Sequence, residues 1–306
     1  MGKYILDLSI IFATYHSEEV LQKSLESYRL INTRYQWELI IVDNACRSET
    51  KELIRKYQKY LPIVFLEQPI AGKNNALNKA IPYAQSELIW FTDNDILPNP
   101  DLVDTYVNFC QEHKEYDVFG GNIQPDRSFP EWIDLTSPSI KTAYGILDLG
   151  ENSQPMEATA FWGGNFLVRK AVFDAGIRFG VSGSSNKNNH IAGNETELLT
   201  RLVSLGYKGH SIIKENSVQH QIRDEQLYLK WLVRRAYNAG EGASYVQKLN
   251  LEGMTLLFDT PKYLFRMFFQ DSLKLVFTLF ILNKKQLCLA LMKVSNSFGR
   301  IKFYIT

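Results

Sequence analysis

Cysteine is scarce: Cys46, Cys110 and Cys288 are the three in 306 residues, too widely spaced for a disulfide framework or a C-x-x-C metal knuckle. A reducing compartment is the resulting expectation. Long apolar runs are missing too. No window approaches the about 18 uncharged apolar residues that a spanning helix needs, and Asp7 interrupts Met1-Gly-Lys-Tyr-Ile-Leu-Asp7 before it can serve as the apolar stretch of a signal peptide. The chain is therefore expected to be cytoplasmic and not to cross a membrane. An excess of one charge is likewise absent, with 34 basic and 33 acidic side chains giving +1, so no global field favours nucleic acid as a partner. Apolar material, by contrast, is plentiful at 45% hydrophobic and 13% aromatic, enough for a large core and incompatible with disorder, collagen or coiled coil.

The first hundred residues alternate between two hydrophobic periods. Leu8 to Ala13, Glu38 to Val42, Pro62 to Leu66 and Glu87 to Phe91 read as short buried strands. Between them lie helical stretches: Glu18 to Leu30, with Ser17 as N-cap, Ser48 to Tyr60, and Asn74 to Tyr83. Strands joined by helical crossovers predict an α/β sandwich on a parallel sheet, with its ligand crevice beyond the carboxyl ends of the strands. A helix over 101–113 and a strand near Val118 follow. From Gly120 to Glu157 no regular structure is assigned, and the stretch is a candidate lining for an acceptor cleft. Gly164 to Arg169 reads as a strand, Gly180 to Asn189 as a polar mobile loop, and Glu195 to Leu205 as a helix stopped by Gly206. Short strands are expected at 211–213 and 217–220. Domain boundaries are expected at 1–222 for the α/β domain and 223–306 for a helical region. From Pro261 to Thr306 eight basic residues face one acidic residue, Asp271, a net +7 that leaves −6 for the rest. Phenylalanines, leucines and valines are interleaved with those charges, the composition of a basic amphipathic helix pair suited to peripheral membrane contact through 261–306. Packing of the same apolar residues on the α/β domain is the alternative.

Asp93-Asn94-Asp95 directly follows the fourth strand, at the mouth of the expected crevice. Two carboxylates so placed suit a hard divalent cation and its phosphate ligands, although an Asx turn uses the same residues. The tripeptide joins Ser9-Ile-Ile-Phe-Ala-Thr-Tyr15, Ile41-Val-Asp-Asn44 and Ala71-Gly-Lys-Asn-Asn-Ala-Leu-Asn78 in an ordered series. Two further blocks follow, Gly163-Gly-Asn-Phe-Leu-Val-Arg169 and the stretch from Gly193-Asn-Glu-Thr-Glu197 to Tyr207. Together, over about 200 residues, they resemble the inverting glycosyltransferases of family 2, which share the GT-A fold and use nucleotide-activated sugars.

The resemblance implies that Asp43 and the backbone near Thr14 bind the nucleotide base, while Asp93 faces the ribose and Asp95 the metal. Gly72, Lys73 and Asn78 would shape the donor pocket, and Asn165 joins the donor-contacting set. These roles are chemically reasonable, because a carboxylate accepts a base N–H and a Gly-containing turn opening a helix offers donors to an anion. Asp43 as a strand-end turn residue and Lys73 as an ordinary exposed lysine are the plain alternatives. Glu195 falls where the family more usually has the aspartate that deprotonates the acceptor hydroxyl, and a glutamate preserves that chemistry. Glu197, two positions on, projects to another face of the helix and reads as an N-terminal helix carboxylate. His220 matches a metal-coordinating position, with a satisfied buried histidine as the alternative. Trp231, Arg234, Arg235, Tyr237 and Gly240 echo a W-x-x-R-R-x-Y-x-x-G pattern of polysaccharide-related members, so Arg234 would hold the leaving diphosphate unless it is a surface salt-bridging residue.

The expectation is therefore a GT-A enzyme that moves a hexosyl-type group from a nucleoside-diphosphate sugar to a glycan or lipid-linked acceptor with inversion. Mn2+ or Mg2+ would be its cofactor, and it would sit in the cytoplasm or peripherally on the inner face of the membrane. A nucleotidyltransferase is the enzymatic rival, although Ala13-Thr-Tyr-His-Ser-Glu18 has no glycine for its phosphate loop. A catalytically silent sugar-nucleotide-binding module at the membrane is the other alternative, opposed by retention of Asp95 and Glu195.

Overall fold

The computed structural model describes residues 5–180, 194–213, 218–248, 251, 253–281 and 283–305. Most of the expected mobile loop at 180–189 lies outside the described residues. The chain starts as alternating strands and helices: β1 (Leu6–Thr14), α1 (Glu18–Tyr28), β2 (Trp37–Asp43), α2 (Ser48–Tyr57), β3 (Ile63–Glu67), α3 (Lys73–Ala80) and β4 (Ser86–Thr92). Next come β5 (Ile96–Pro98), α4 (Leu102–Glu112), β6 (Val118–Gly121), β7 (Gln124–Pro125) and α5 (Pro138–Ala143). They are followed by β8 (Asn165–Arg169), α6 (Lys170–Asp174), α7 (Asn194–Ser204), β9 (Gly209–Ile212) and β10 (Val218–His220). Three long helices follow, α8 (Leu229–Lys248), α9 (Lys262–Ile281) and α10 (Lys284–Ile305).

By contact density the described residues form two compact units, one within 1–126, 145–185 and 193–221, the other within 127–144 and 222–306. The segment 127–144 thus groups with the C-terminal helices. In the first unit, seven strands run in the order β3-β2-β1-β4-β8-β6-β9. The first four are parallel, as expected, but β8 enters antiparallel between β4 and β6 and makes the sheet mixed. Its core is fully closed, with Phe12, Trp90, Phe91, Phe119, Phe166 and Phe173 all nearly inaccessible. Burial of such side chains contributes about 1.5–3 kcal/mol each. A second, three-stranded sheet pairs β10 antiparallel with β5 and parallel with β7. Gly206 ends α7 as expected: at φ +85° it lets Tyr207 N–H reach Leu202 C=O (3.1 Å) and its own N–H reach Val203 C=O (3.0 Å), the two bonds of a Schellman cap. Ser17 does not cap α1 by its side chain. Its hydroxyl accepts from Asn94 Nδ2 (2.5 Å) and lies 3.1 Å from Thr14 Oγ1, so it joins the strand ends instead.

In the second unit α8 and α10 approach closely enough that glycine is required on both. A Cβ at Gly240 would lie 2.2 Å from Asn296 O, and one at Gly299 would lie 2.3 Å from Tyr237 O. Gly240 of the arginine-containing pattern is therefore a helix-packing residue. Trp231 stacks on the buried Tyr144 ring, 5.1 Å between centroids, tying 127–144 to the helices.

Candidate active site

Parallel pairing sets Thr14 beside Asp43, so the carboxyl ends of β1 and β2 finish together. Asp43 is completely buried, and its oxygens accept the N–H groups of Ala45 (2.9 Å) and Arg47 (2.7 Å). The structure thus gives Asp43 the strand-end turn that sequence reasoning left open beside base recognition. Asn44, to which sequence reasoning gave no separate role, holds the next loop. It donates to Gln68 O (2.6 Å) and Ile70 O (2.8 Å) and accepts from Gly72 N–H (2.9 Å). Only its place in the Ile41-Val-Asp-Asn44 block hints at this, because its partners lie more than twenty residues away. Gly72 itself sits at φ +119°, a conformation that requires glycine, and starts α3 so that Lys73 faces the end of β4. Asn78 bonds Phe179 in both directions, Nδ2 to O and Oδ1 from N–H, each 2.9 Å. It thereby pins the 178–180 segment to α3.

Five charged or titratable groups meet at the strand ends. Lys73 Nζ is ion-paired with Asp93 Oδ1. His220 pairs with Ile96 across the small sheet, which sets its imidazole against the neighbouring Asp95, Nε2 to Oδ2 at 3.1 Å. Burial acts to raise the Asp95 carboxyl, but His220 and then Lys73 outweigh it and hold it below the ordinary carboxylate value. For Lys73 burial acts to lower the ammonium, while Asp93, Glu195 and Asp95 together hold it above its ordinary value. Both groups are charged near neutrality. Glu195, in the first turn of α7, is half-buried and accepts a long hydrogen bond from Gly163 N–H (3.3 Å). A Cβ at Gly163 would lie 2.9 Å from the Glu195 carboxyl carbon, so glycine there makes room for that carboxylate.

Glu197 projects elsewhere, as its helical position predicts. It accepts from Gly180 N–H (3.1 Å) and pairs with Arg201 (3.5 Å). Asn165 is not at the site. It is fully buried, with Oδ1 accepting from Trp90 Nε1 (3.0 Å) and Tyr106 Oη (2.6 Å) and Nδ2 donating to Asn122 O (3.0 Å). Its amide satisfies two aromatic donors that would otherwise be buried unpaired, which removes it from the donor-contacting set. Arg234 and Arg235 lie exposed on α8, in the second unit. His190 and the rest of 181–193 lie outside the described residues.

Asp95 and His220 also pass a chemical test as cation ligands. Their donor atoms, 3.1 Å apart, match the about 3 Å spacing of adjacent ligands in an octahedral shell with bonds near 2.1 Å. Among the described residues no group of three or more histidine, cysteine and acidic side chains could hold a metal. Two protein ligands would leave the other contacts of such a cation to substrate phosphates and water.

A mixed α/β sheet carrying this carboxylate, lysine and histidine cluster at its strand ends is a GT-A fold. Residues 1–349 of S. aureus TarS, solved in complex with UDP, superpose with a TM-score of 0.58 over 96% of this chain and 91% of that one, at 14% identity. The mannosyltransferase PcManGT from Pyrobaculum calidifontis, in complex with GDP-Man and Mn2+, gives 0.50 over 97% and 72%, at 15% identity. The model of glycosyl transferase family 2 matches residues 9–176, more than half of the chain, and the protein belongs to that family. Membership of a glycosyl transferase family speaks against the nucleotidyltransferase alternative. The minor teichoic acid biosynthesis protein GgaB of Bacillus subtilis is 30% identical over 225 residues, 72% of this chain but 23% of GgaB. The chain spans less than half the length of the curated relatives it matches first.

Proposed function

We propose that the protein transfers a glycosyl group from a nucleoside-diphosphate sugar to a hydroxyl of a glycan or lipid-linked acceptor, with inversion. The observation that carries this is the convergence of Lys73, Asp93, Asp95, His220 and Glu195 at the strand ends of a GT-A sheet. The names of the structural neighbours, with UDP in one and GDP-Man and Mn2+ in the other, support the donor class. Asp43 and Asn44 frame the base-binding end. Tyr15, 55% exposed and next to Thr14, offers a ring face there. Glu195 accepts the acceptor proton as the hydroxyl oxygen bonds to the anomeric carbon and the bond to the diphosphate breaks. Lys73 supplies positive charge to the anionic side of the pocket. Asp95 and His220 would hold Mn2+ or Mg2+, which when bound supplies charge neutralisation for the departing diphosphate. A carboxylate with an imidazole suits Mn2+ better than Mg2+.

Thermal stabilisation by a panel of nucleoside diphosphates, with and without Mn2+, tests the donor assignment: a metal-dependent rise in melting temperature with one nucleotide is expected. Asp95→Asn should abolish that metal dependence together with turnover. Undiminished turnover in EDTA would sink the metal assignment. The C-terminal segment is proposed to make peripheral contact with the cytoplasmic face of an anionic membrane. Among the described residues no helix is long and apolar enough to cross one.

A further inference from the structure

The second unit contains a groove of about 930 Å³ that the donor chemistry does not use. That volume is at the upper end for ligand sites. The segment 128–136 forms one wall and the start of α10 the other. The first wall contributes the rings of Phe129 and Trp132 with the carboxylates of Glu131 and Asp134, and the second contributes Lys284 and Lys285. The wall is held in shape. Asp134 Oδ1 accepts from Thr136 N–H (3.1 Å) and Oγ1 (2.7 Å), and the Phe129 ring packs edge-on against buried Tyr144, 4.7 Å between centroids. Aromatic rings cover the C–H faces of sugar rings, carboxylates accept sugar hydroxyls, and paired ammonium groups take a phosphate.

Just before the lysines in the chain, the end of α9 presents Val276, Phe277, Leu279, Phe280 and Ile281 to solvent at 50–81% exposure. A monomeric soluble surface rarely concentrates so much apolar area in one place. The order apolar helix end, lysine pair, aromatic groove is the order tail, phosphate, saccharide of a lipid-linked glycan. We infer that this groove holds the phosphate-linked saccharide head of a lipid-anchored acceptor, with the α9 end in the apolar layer and Lys284 and Lys285 at the phosphate. The inference deepens the glycosyltransferase proposal and rests on it for the word acceptor.

Cosedimentation tests it, using neutral phosphatidylcholine vesicles that carry a polyprenyl phosphate-linked oligosaccharide. The comparators are the same vesicles with polyprenyl phosphate, the same with phosphatidylglycerol, and the free oligosaccharide phosphate in solution. The saccharide-bearing vesicles should bind most tightly. The Lys284→Ala/Lys285→Ala double variant should bind them about thirtyfold more weakly, as two interfacial lysines warrant. Trp132→Ala should erase the preference for saccharide over bare phosphate, and Trp132→Phe should keep it. Equal binding to every anionic vesicle would reduce the surface to general electrostatic adhesion and overturn the inference. So would undiminished binding by the lysine variant, or free oligosaccharide phosphate bound as tightly as the lipid-linked form. Nucleotide binding is measured on the same samples and should be unaltered in all variants. Its absence from the unmodified protein would count against the donor assignment and not against the groove.

Discussion

Gly163 in the first unit and Gly240 in the second both lack room for a Cβ, yet the obstacles differ in kind. At Gly163 the obstacle is the end of the Glu195 side chain, 2.9 Å away, and at Gly240 it is the Asn296 backbone oxygen, 2.2 Å away. A side-chain end can swing aside, whereas the backbone of a packed helix cannot. Close approach in the first unit therefore fixes the aim of the Glu195 carboxylate, the proposed base, while in the second it fixes the helix pair itself. The apolar residues divide in the same way. Those of the first unit close a core around the sheet, and α9 in the second leaves Phe277 and Phe280 at 68% and 81% exposure.

The largest effect is expected at Glu195. Glu195→Gln keeps size and hydrogen bonding but cannot take the proton, so turnover should fall about 10²–10⁴-fold while donor affinity and melting temperature hold. Steady-state kinetics beside a melting curve checks this. Glu197→Gln is the control, since its carboxylate serves Gly180 and Arg201. Loss of turnover in the control alone would move the base to Glu197 and break the contrast between the two positions.

Gly163→Ala comes next. The added methyl displaces the Glu195 carboxylate without touching backbone, so turnover should drop by up to about 10²-fold, the typical cost of misplacement near 1 Å. The melting temperature should barely move. Gly240→Ala should do the opposite, lowering stability by about 1–3 kcal/mol through overpacking and leaving the affinity for nucleotide unchanged. If both substitutions merely destabilise, Gly163 is a packing residue and loses its link to the base.

The sequence displays one side of this contrast better than the other. Apolar runs and helical patterns mark β1 to β4 and their crossovers because β1, β2 and β4 are buried on both faces, and β1, β2 and β3 are neighbours in the sheet as in the chain, while β4 crosses to the other side of β1. The strand at Gly164 to Arg169 is legible, but its antiparallel insertion between β4 and β6 depends on pairing across more than seventy residues on one side and more than forty on the other, which no local pattern encodes. Lys73, Asp93, Asp95 and Glu195 stand in the ordered motif blocks and His220 matches a metal-coordinating position, and the fold brings these five candidates together. Asn165 is misplaced because an asparagine in a motif block looks identical whether it binds a sugar or satisfies Trp90 and Tyr106. In the second unit the groove walls come from segments about 150 residues apart, 128–136 and 283–285, and 128–136 carries no periodic signal. The basic, apolar character of 261–306 is plain from composition. Which apolar residues face outward follows only from the α9–α10 packing.

The smallest expected effect tests that outward face directly. Phe277→Ser with Phe280→Ser removes two rings that project into solvent, so in the absence of lipid the change in stability should stay within about 0.5 kcal/mol, the usual limit for surface substitutions. Turnover on a soluble acceptor should also be unaffected, because neither ring belongs to the strand-end cluster. A chemical denaturation midpoint measured with and without the pair of substitutions decides it. Were the rings instead packed on another part of the protein, the loss would approach about 1.5–3 kcal/mol for each buried phenylalanine. An unchanged midpoint means that the folded protein itself gains nothing from these apolar side chains. That outcome is what the proposed contact of this face with a membrane surface requires.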